Sequence, residues 1–303
     1  MKTTPFLPER LNLGDTIGIV QPSHVADPVH HTRTVRVLER LGFNVKTGRN
    51  IYKDTYINVA SASERADDFN EMIADDKVRM VFFGGGDCGV DVLPLIDYDN
   101  IRKHPKLLSS YSDGTCILNA VHAQTGLVTY YGMSPGEFAD LRQYNWSQFA
   151  SHFVSGHSAD SFESDSEWQI LHAGRCEGRL LGGYSLLFAL MMTNPNFKYD
   201  PDERYLLFIE DYAGFSPPSS YNAYITFIEQ SAIMQRTVGF IFGHFADQAP
   251  DVLLRRMERL GRAHDIPVVY TDDFGHGTRH AIFPIGVRAS LDTNARTLNF
   301  QYS

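Results

Sequence analysis

The chain has 303 residues, 43% of them hydrophobic and 21% charged, with a formal net charge of −9 at pH 7. These proportions suit one large α/β unit or two domains and exclude disordered and fibrous classes. The acidic balance argues against a nucleic-acid binder, which needs clustered Lys and Arg, and three cysteines without metal-ligand spacing (Cys88, Cys116, Cys176) point away from a disulfide scaffold or zinc site and toward a reducing, cytoplasmic compartment.

The opening MKTTPFLPERLNLGD is polar and shows no signal-peptide core. The apolar run Leu186 to Met192 is too short for a membrane span. Residues 15–21 read as a buried strand broken by Pro22-Ser23. Residues 28–41 carry helical spacing up to Gly42, and a strand resumes from Phe43 to Val45. Ser61 and Ser63 are candidate N-caps of the helical segment that follows. RMVFF predicts a strand running into Gly84-Gly85-Gly86, and VDVLPLI a short helix. Leu107-Leu108 leads toward Ser112, CILNAVHAQ predicts a helix, and LVTYYG another strand. This alternation predicts a doubly wound, mostly parallel sheet.

The small, polar and acidic residues 155–167 mark a boundary. An N-terminal domain is expected over residues 1–155, a linker over 156–175 and a C-terminal domain over 176–303. The second half runs through GRLLGGYS, strand YLLFI, an amphipathic helix over 221–236, strand VGFIFG, helix 251–264 and strand PVVY. It closes on two β-rich segments around Asp292-Thr293-Asn294.

The sharpest chemical signal is Ser110-Tyr111-Ser112-Asp113-Gly114, between a strand and a helix. Small residues flanking Ser112 suit a nucleophile elbow, with Ser110 where the first glycine usually stands. Such a turn exposes the hydroxyl at a helix N-terminus, with the next backbone N–H aimed at a developing oxyanion. An ordinary turn capped by Ser112 or Asp113 fits the same residues. The glycine run leaves room for close backbone approach, so it suits an oxyanion donor, a phosphate cradle or a simple flexible turn. Among 12 histidines, His276 stands out between Gly275 and Gly277 after a predicted strand, with His244 a competing base or a buried hydrogen-bonded residue. Glu210 ends the apolar strand YLLFI, where a carboxylate needs a partner. Asp211 next to it faces the other way if the strand continues. No metal-binding motif is present.

Six blocks in order resemble the serine-peptidase family that holds the LD-carboxypeptidases of peptidoglycan recycling and the microcin C immunity hydrolases. They are LNLGDTIGIVQPS, SASERADDFNEMIADDKVRMVFFGGG, LPLIDYDNIRKHPKLLSSYSDGT, EGRLLGGYS, LLFIEDY and FGHGTRHAIFPIGV. The resemblance implies an N-terminal doubly wound domain carrying Ser112 as nucleophile. A C-terminal β-rich α/β domain brings Glu210 as orienting acid and His276 as base. It also implies backbone oxyanion donors at Gly85 and Asp113, no metal or organic cofactor, and a homodimer. The chain departs from the family pattern at Gly84, Asp87, Ser110, Tyr184 and His280. Gly86, Asp87 and Tyr184 are therefore candidate substrate contacts. The expected function is serine-type hydrolysis of an amide in a small peptide, foremost as an LD-carboxypeptidase on murein fragments. The alternatives are a microcin C-type hydrolase of aminoacyl nucleotide amides and, more distantly, a nucleotide-binding protein using Gly84–Gly86.

Overall fold

The computed structural model describes residues 4–55, 57 and 59–302; the first three residues of the polar opening lie outside them. Two sheets organise the chain. The first contains β1 (Thr16–Val20), β2 (Asn44–Thr47), β3 (Val78–Phe83), β4 (Leu107–Ser110) and β5 (Thr129–Tyr131). The second contains β6 (Gln169–His172), β7 (Arg175–Tyr184), β8 (Tyr205–Glu210), β9 (Thr237–His244) and β10 (Val268–Gly275). β11 (Phe283–Ile285) returns to the first sheet, whereas β12 (Arg288–Asp292) and β13 (Thr297–Gln301) complete the second. The spatial orders are β11-β5-β4-β3-β1-β2 and β13-β12-β7-β8-β9-β10-β6.

β1 to β5 pair in parallel, as the near-continuous apolar runs predict for strands covered on both faces. β7 to β10 are likewise parallel, and β12, β13 and β6 add antiparallel edges. The chain is thus α/β, with a parallel-rich N-terminal sheet and a β-rich second one.

The helices are α1 (Pro28–Arg40), α2 (Ala62–Ala74), α3 (Tyr98–Lys103), α4 (Thr115–Thr125), α5 (Gln143–Phe153), α6 (Ser185–Met191), α7 (Pro218–Gln230) and α8 (Asp251–His264). Of the two predicted caps of α2, Ser61 is the one used. Its hydroxyl accepts the Glu64 N–H, and the Glu64 carboxylate accepts the Ser61 N–H at 3.1 Å. The helix expected over 221–236 is split. Pro218 opens α7 at its first turn, and extended Ser231 separates it from a short 3-10 turn at Ala232–Arg236.

The polar segment expected as a linker also carries structure. β6 pairs with β10, and Trp168 is buried, its indole N–H donating to Ser164 Oγ at 3.0 Å. Ser164 in turn donates to Asp273. One buried aromatic and a few hydrogen bonds anchor a stretch whose composition reads as loop.

Candidate active site

The carboxyl ends of β3, β4, β8 and β10 converge, where parallel α/β sheets collect their ligands. After Ser110 and Tyr111 the chain turns sharply, and Ser112 adopts φ +56°, a left-handed conformation that a non-glycine residue holds only when its surroundings enforce it. The enforcing contacts are on both sides. The Ser112 N–H donates to the Tyr131 hydroxyl at 3.0 Å, and the Thr115 hydroxyl donates to the Ser112 carbonyl at 2.7 Å. Gly114 is required next, because a Cβ there would run into the Ser110 side chain.

His276 follows β10 directly. Its Nε2 lies 2.9 Å from Ser112 Oγ and its Nδ1 2.8 Å from Glu210 Oε2. With the proton on Nδ1 and donated to the carboxylate, Nε2 presents a lone pair to the serine hydroxyl. Glu210 is fully buried. Its other oxygen, Oε1, accepts the Tyr131 hydroxyl at 2.5 Å. Burial pulls the His276 pKa down, but the charge and hydrogen bond of Glu210, aided by Asp211 and Glu137, outweigh it and leave the imidazole above its ordinary value. Asp211 turns away as the strand alternation requires, accepts the Ser185 hydroxyl and the Tyr212 N–H, and is raised by burial to about 6.

The glycine run borders this group. A Cβ on Gly85 would come within 2.9 Å of Ser112 Cβ and 3.3 Å of the Tyr111 carbonyl, so only glycine brings this backbone so near the hydroxyl. Gly86 sits at φ +155°, against the Ser23 backbone. Two amides of the loop are already committed: Asp87 N–H donates to Ser23 O at 3.1 Å and Gly89 N–H to Asp113 Oδ2 at 2.6 Å. That commitment removes donors a phosphate cradle would use. The Asp113 side chain is buried, which raises its pKa to about 6. The Asp87 side chain is exposed, and Cys88, not Asp87, occupies the N-cap of the following 3-10 turn, without a side-chain cap bond.

Aromatic rings enclose the imidazole. Tyr111, Tyr184 and Phe215 lie with ring centroids 5.2, 5.4 and 5.4 Å from that of His276, and Tyr212 stacks on it at 5.6 Å and 17°. Tyr184 is raised to about 12 by burial. Phe215, 67% exposed, forms the open side. His280 is held away from the serine, bound through Nδ1 to Gly132 O at 3.0 Å. A cavity of 770 Å³ lined by Arg102, His122, Arg179, Lys198 and Tyr205 lies at the opening end of β8 and contains none of Ser112, Glu210 and His276. Among the described residues, no group of three or more His, Cys, Asp or Glu side chains could hold a metal ion.

Tyr131, Tyr212 and Phe215 are not discernible from sequence as part of this site. Tyr131 sits in an apolar strand run where it reads as core, and the other two in a loop whose path only the fold sets.

The fold is α/β, and the comparisons with known proteins give the class, a peptidase. The chain belongs to the LD-carboxypeptidase family: the model of that family's N-terminal domain matches residues 17–132 and that of its C-terminal domain residues 177–291. It is 28% identical to a Bacillus subtilis protein carried under the name "probable murein peptide carboxypeptidase", over 96% of this chain and 93% of that one. It is 25% identical to the microcin C7 self-immunity protein MccF of Escherichia coli, over 99% and 96% of the two chains. The solved structure of MccF in complex with glutamyl sulfamoyl guanosine shares the fold at a TM-score of 0.86 and 22% identity, covering 98% of this chain and 99% of that one. Among the described residues, no helix is long and apolar enough to cross a membrane.

Proposed function

We propose that this chain is a serine LD-carboxypeptidase that cleaves an amide beside a carboxylate-bearing residue in murein peptide fragments. The observation that carries the reading is the continuous relay Ser112–His276–Glu210, with links of 2.9 and 2.8 Å. Ser112 Oγ attacks the amide carbonyl carbon as its proton passes to His276 Nε2. The C–N bond breaks as His276 returns that proton to the leaving amine. Water, deprotonated by the same nitrogen, then hydrolyses the acyl-serine ester. Glu210 keeps the imidazole in the Nδ1–H tautomer and stabilises the imidazolium. Backbone N–H groups of Gly85 and Asp113 receive the oxyanion, each contributing about 3–4 kcal/mol to transition-state stabilisation. Gly86, Asp87 and Tyr184 border the substrate.

The family membership and the name of the Bacillus subtilis relative favour murein peptides. The enzyme acts in the cytoplasm on muropeptides in recycling and works as a homodimer, which light scattering checks. The deciding experiment offers purified protein a murein tetrapeptide and an aminoacyl sulfamoyl adenosine side by side, with products followed by mass spectrometry. Loss of the terminal D-amino acid from the tetrapeptide is expected. Preferential cleavage of the adenosine compound replaces this reading with the microcin type, and turnover of neither removes both.

A further inference from the structure

We infer that Tyr131 is the positioning residue that locks the nucleophile of one sheet to the acid of the other, through a single phenol shared by the Ser112 amide and the Glu210 carboxylate. The inference rests on the reading of Ser112 as nucleophile.

Tyr131 ends β5, hydrogen-bonded between β4 and β11, and is completely buried. Its ring passes from the first sheet to the second. Gly183 at φ +135° makes room for it, since a Cβ there would stand 3.0 Å from Tyr131 Cε2, and Phe208 of β8 packs on it at 5.5 Å. The hydroxyl has one proton, and it goes to Glu210 Oε1 at 2.5 Å; the oxygen's lone pair takes the Ser112 N–H at 3.0 Å. Burial and the neighbouring carboxylate push the phenol well above its ordinary pKa, so the donor role persists at any working pH.

Both bonds bear on geometry that the relay needs. The bond to Oε1 fixes the carboxylate's rotation and leaves Oε2 for His276. The bond from the amide holds the strained turn of Ser112, pointing Oγ at the imidazole and leaving the next amide, Asp113, to receive an oxyanion. Without the phenol, a buried carboxylate oxygen and a buried amide both lose their partner in a water-poor site. The serine and the acid would then be aligned only by the general packing of two sheets, and a displacement of about 1 Å costs roughly a hundredfold in rate.

The test is the pH profile of kcat and KM on the murein tetrapeptide for three proteins: Tyr131→Phe, a variant with ring-fluorinated tyrosine at 131, and Ser112→Ala. The other titratable groups facing the Glu210–His276 couple include Tyr111, Glu137, Tyr184, Asp211, Tyr212 and Tyr221, and none of the three changes replaces them. Removing the donor raises the proton affinity of the couple. Tyr131→Phe is therefore expected to lower kcat about ten- to a hundredfold with KM within about twofold, and to move the acidic limb to higher pH. The fluorinated phenol is a stronger donor of the same shape. It should keep kcat within about threefold and move the limb the opposite way. If kcat and limb of Tyr131→Phe match wild type, the inference is overturned. A lost kcat with an unmoved limb in both variants reduces Tyr131 to packing and overturns it too. Ser112→Ala separates this from the parent reading: activity surviving there removes the nucleophile and the inference with it, whereas a dead Ser112→Ala beside an unaffected Tyr131→Phe removes the inference alone.

Discussion

β9 and β10 end side by side, His244 pairing with Gly275, and each strand end presents a histidine bound to a carboxylate through Nδ1. The His276–Glu210 distance is 2.8 Å and the His244–Asp272 distance 2.9 Å. Chemically the pairs are near twins; their settings differ. Glu210 ends β8, which β9 separates from β10, is fully buried and has Ser112 on the far side of its histidine. Asp272 lies on β10, the strand next to the one that ends in His244, is partly exposed, and also accepts the Tyr270 hydroxyl at 2.9 Å. His244 packs beneath the loop that carries His276: a Cβ on Gly277 would stand 3.0 Å from its Cγ. A histidine–carboxylate pair is therefore a common buried solution to imidazole hydrogen bonding. It becomes a candidate relay only where a third group, supplied by the other sheet, meets the free nitrogen.

The comparison breaks most directly by truncating each histidine. His276→Ala should lower kcat on the order of a hundred thousandfold, while His244→Ala, which only undercuts the loop, should lower kcat/KM by less than about tenfold and reduce the melting temperature. Steady-state kinetics with thermal melts reads both, and equal losses would erase the distinction. The carboxylates sharpen it. Glu210→Gln should cost about a thousandfold in kcat by favouring the wrong tautomer, against less than about threefold for Asp272→Asn.

A third prediction contrasts buried acids with paired ones. Asp113 is raised from 3.8 to about 6 by burial, so its contribution to stability is present below pH 3.8 and is lost as pH rises through about 6. The loss amounts to about 3 kcal/mol at neutral pH. Asp113→Asn keeps an acceptor for the Gly89 amide without the charge, and its stability relative to wild type should rise between pH 4 and 7 in denaturant titrations. Asp272 is shifted the other way: burial would raise it, but His244 and Tyr270 outweigh that and hold it low. Its contribution is lost only on acidification, so Asp272→Asn should show no such gain.

The smaller effects concern pH and charge at the mouth. Because His276 lies above its ordinary value and, as the proposed base, works only when neutral, the acidic limb of kcat/KM should fall above about pH 6.5. A limb below that value would mean that Glu210 does not dominate the imidazole. Asp87→Asn should lower kcat/KM about tenfold for substrates bearing a free amine near the scissile bond and leave the melting temperature unchanged. Equal kinetics on amine-bearing and amine-free peptides would leave Asp87 as a solvated loop residue.

Much of this arrangement is legible along the chain. Alternating apolar runs and glycine stops predict the parallel strands, and Ser112 stands out because small residues crowd a strand-to-helix turn. Glu210 and His276 stand out because a carboxylate ends an apolar strand and a histidine sits between glycines. Their approach to one another is not legible, since residues 66 and 164 positions apart meet only through packing of two sheets. Tyr131 escaped for a related reason. A tyrosine in an apolar strand is ordinary core, and only the position of Gly183 and Glu210 on the other sheet gives its hydroxyl a task. β6 escaped because the serines and acids of residues 163–167 lead up to it, and α5 because its aromatic and polar residues alternate without a clear apolar stripe.

The placement of β11 bears on the timing of synthesis. Residues Phe283–Ile285 close the edge of the first sheet beside β5, antiparallel to Tyr131. The ribosome thus releases β1 to β5 long before their last neighbour exists. Until then β5 is an open edge with unpaired amides, the kind of edge that invites association with other chains. Tyr131 lies on that edge. A nascent chain stalled before residue 285 would accordingly keep β5 as an open edge and be prone to aggregate.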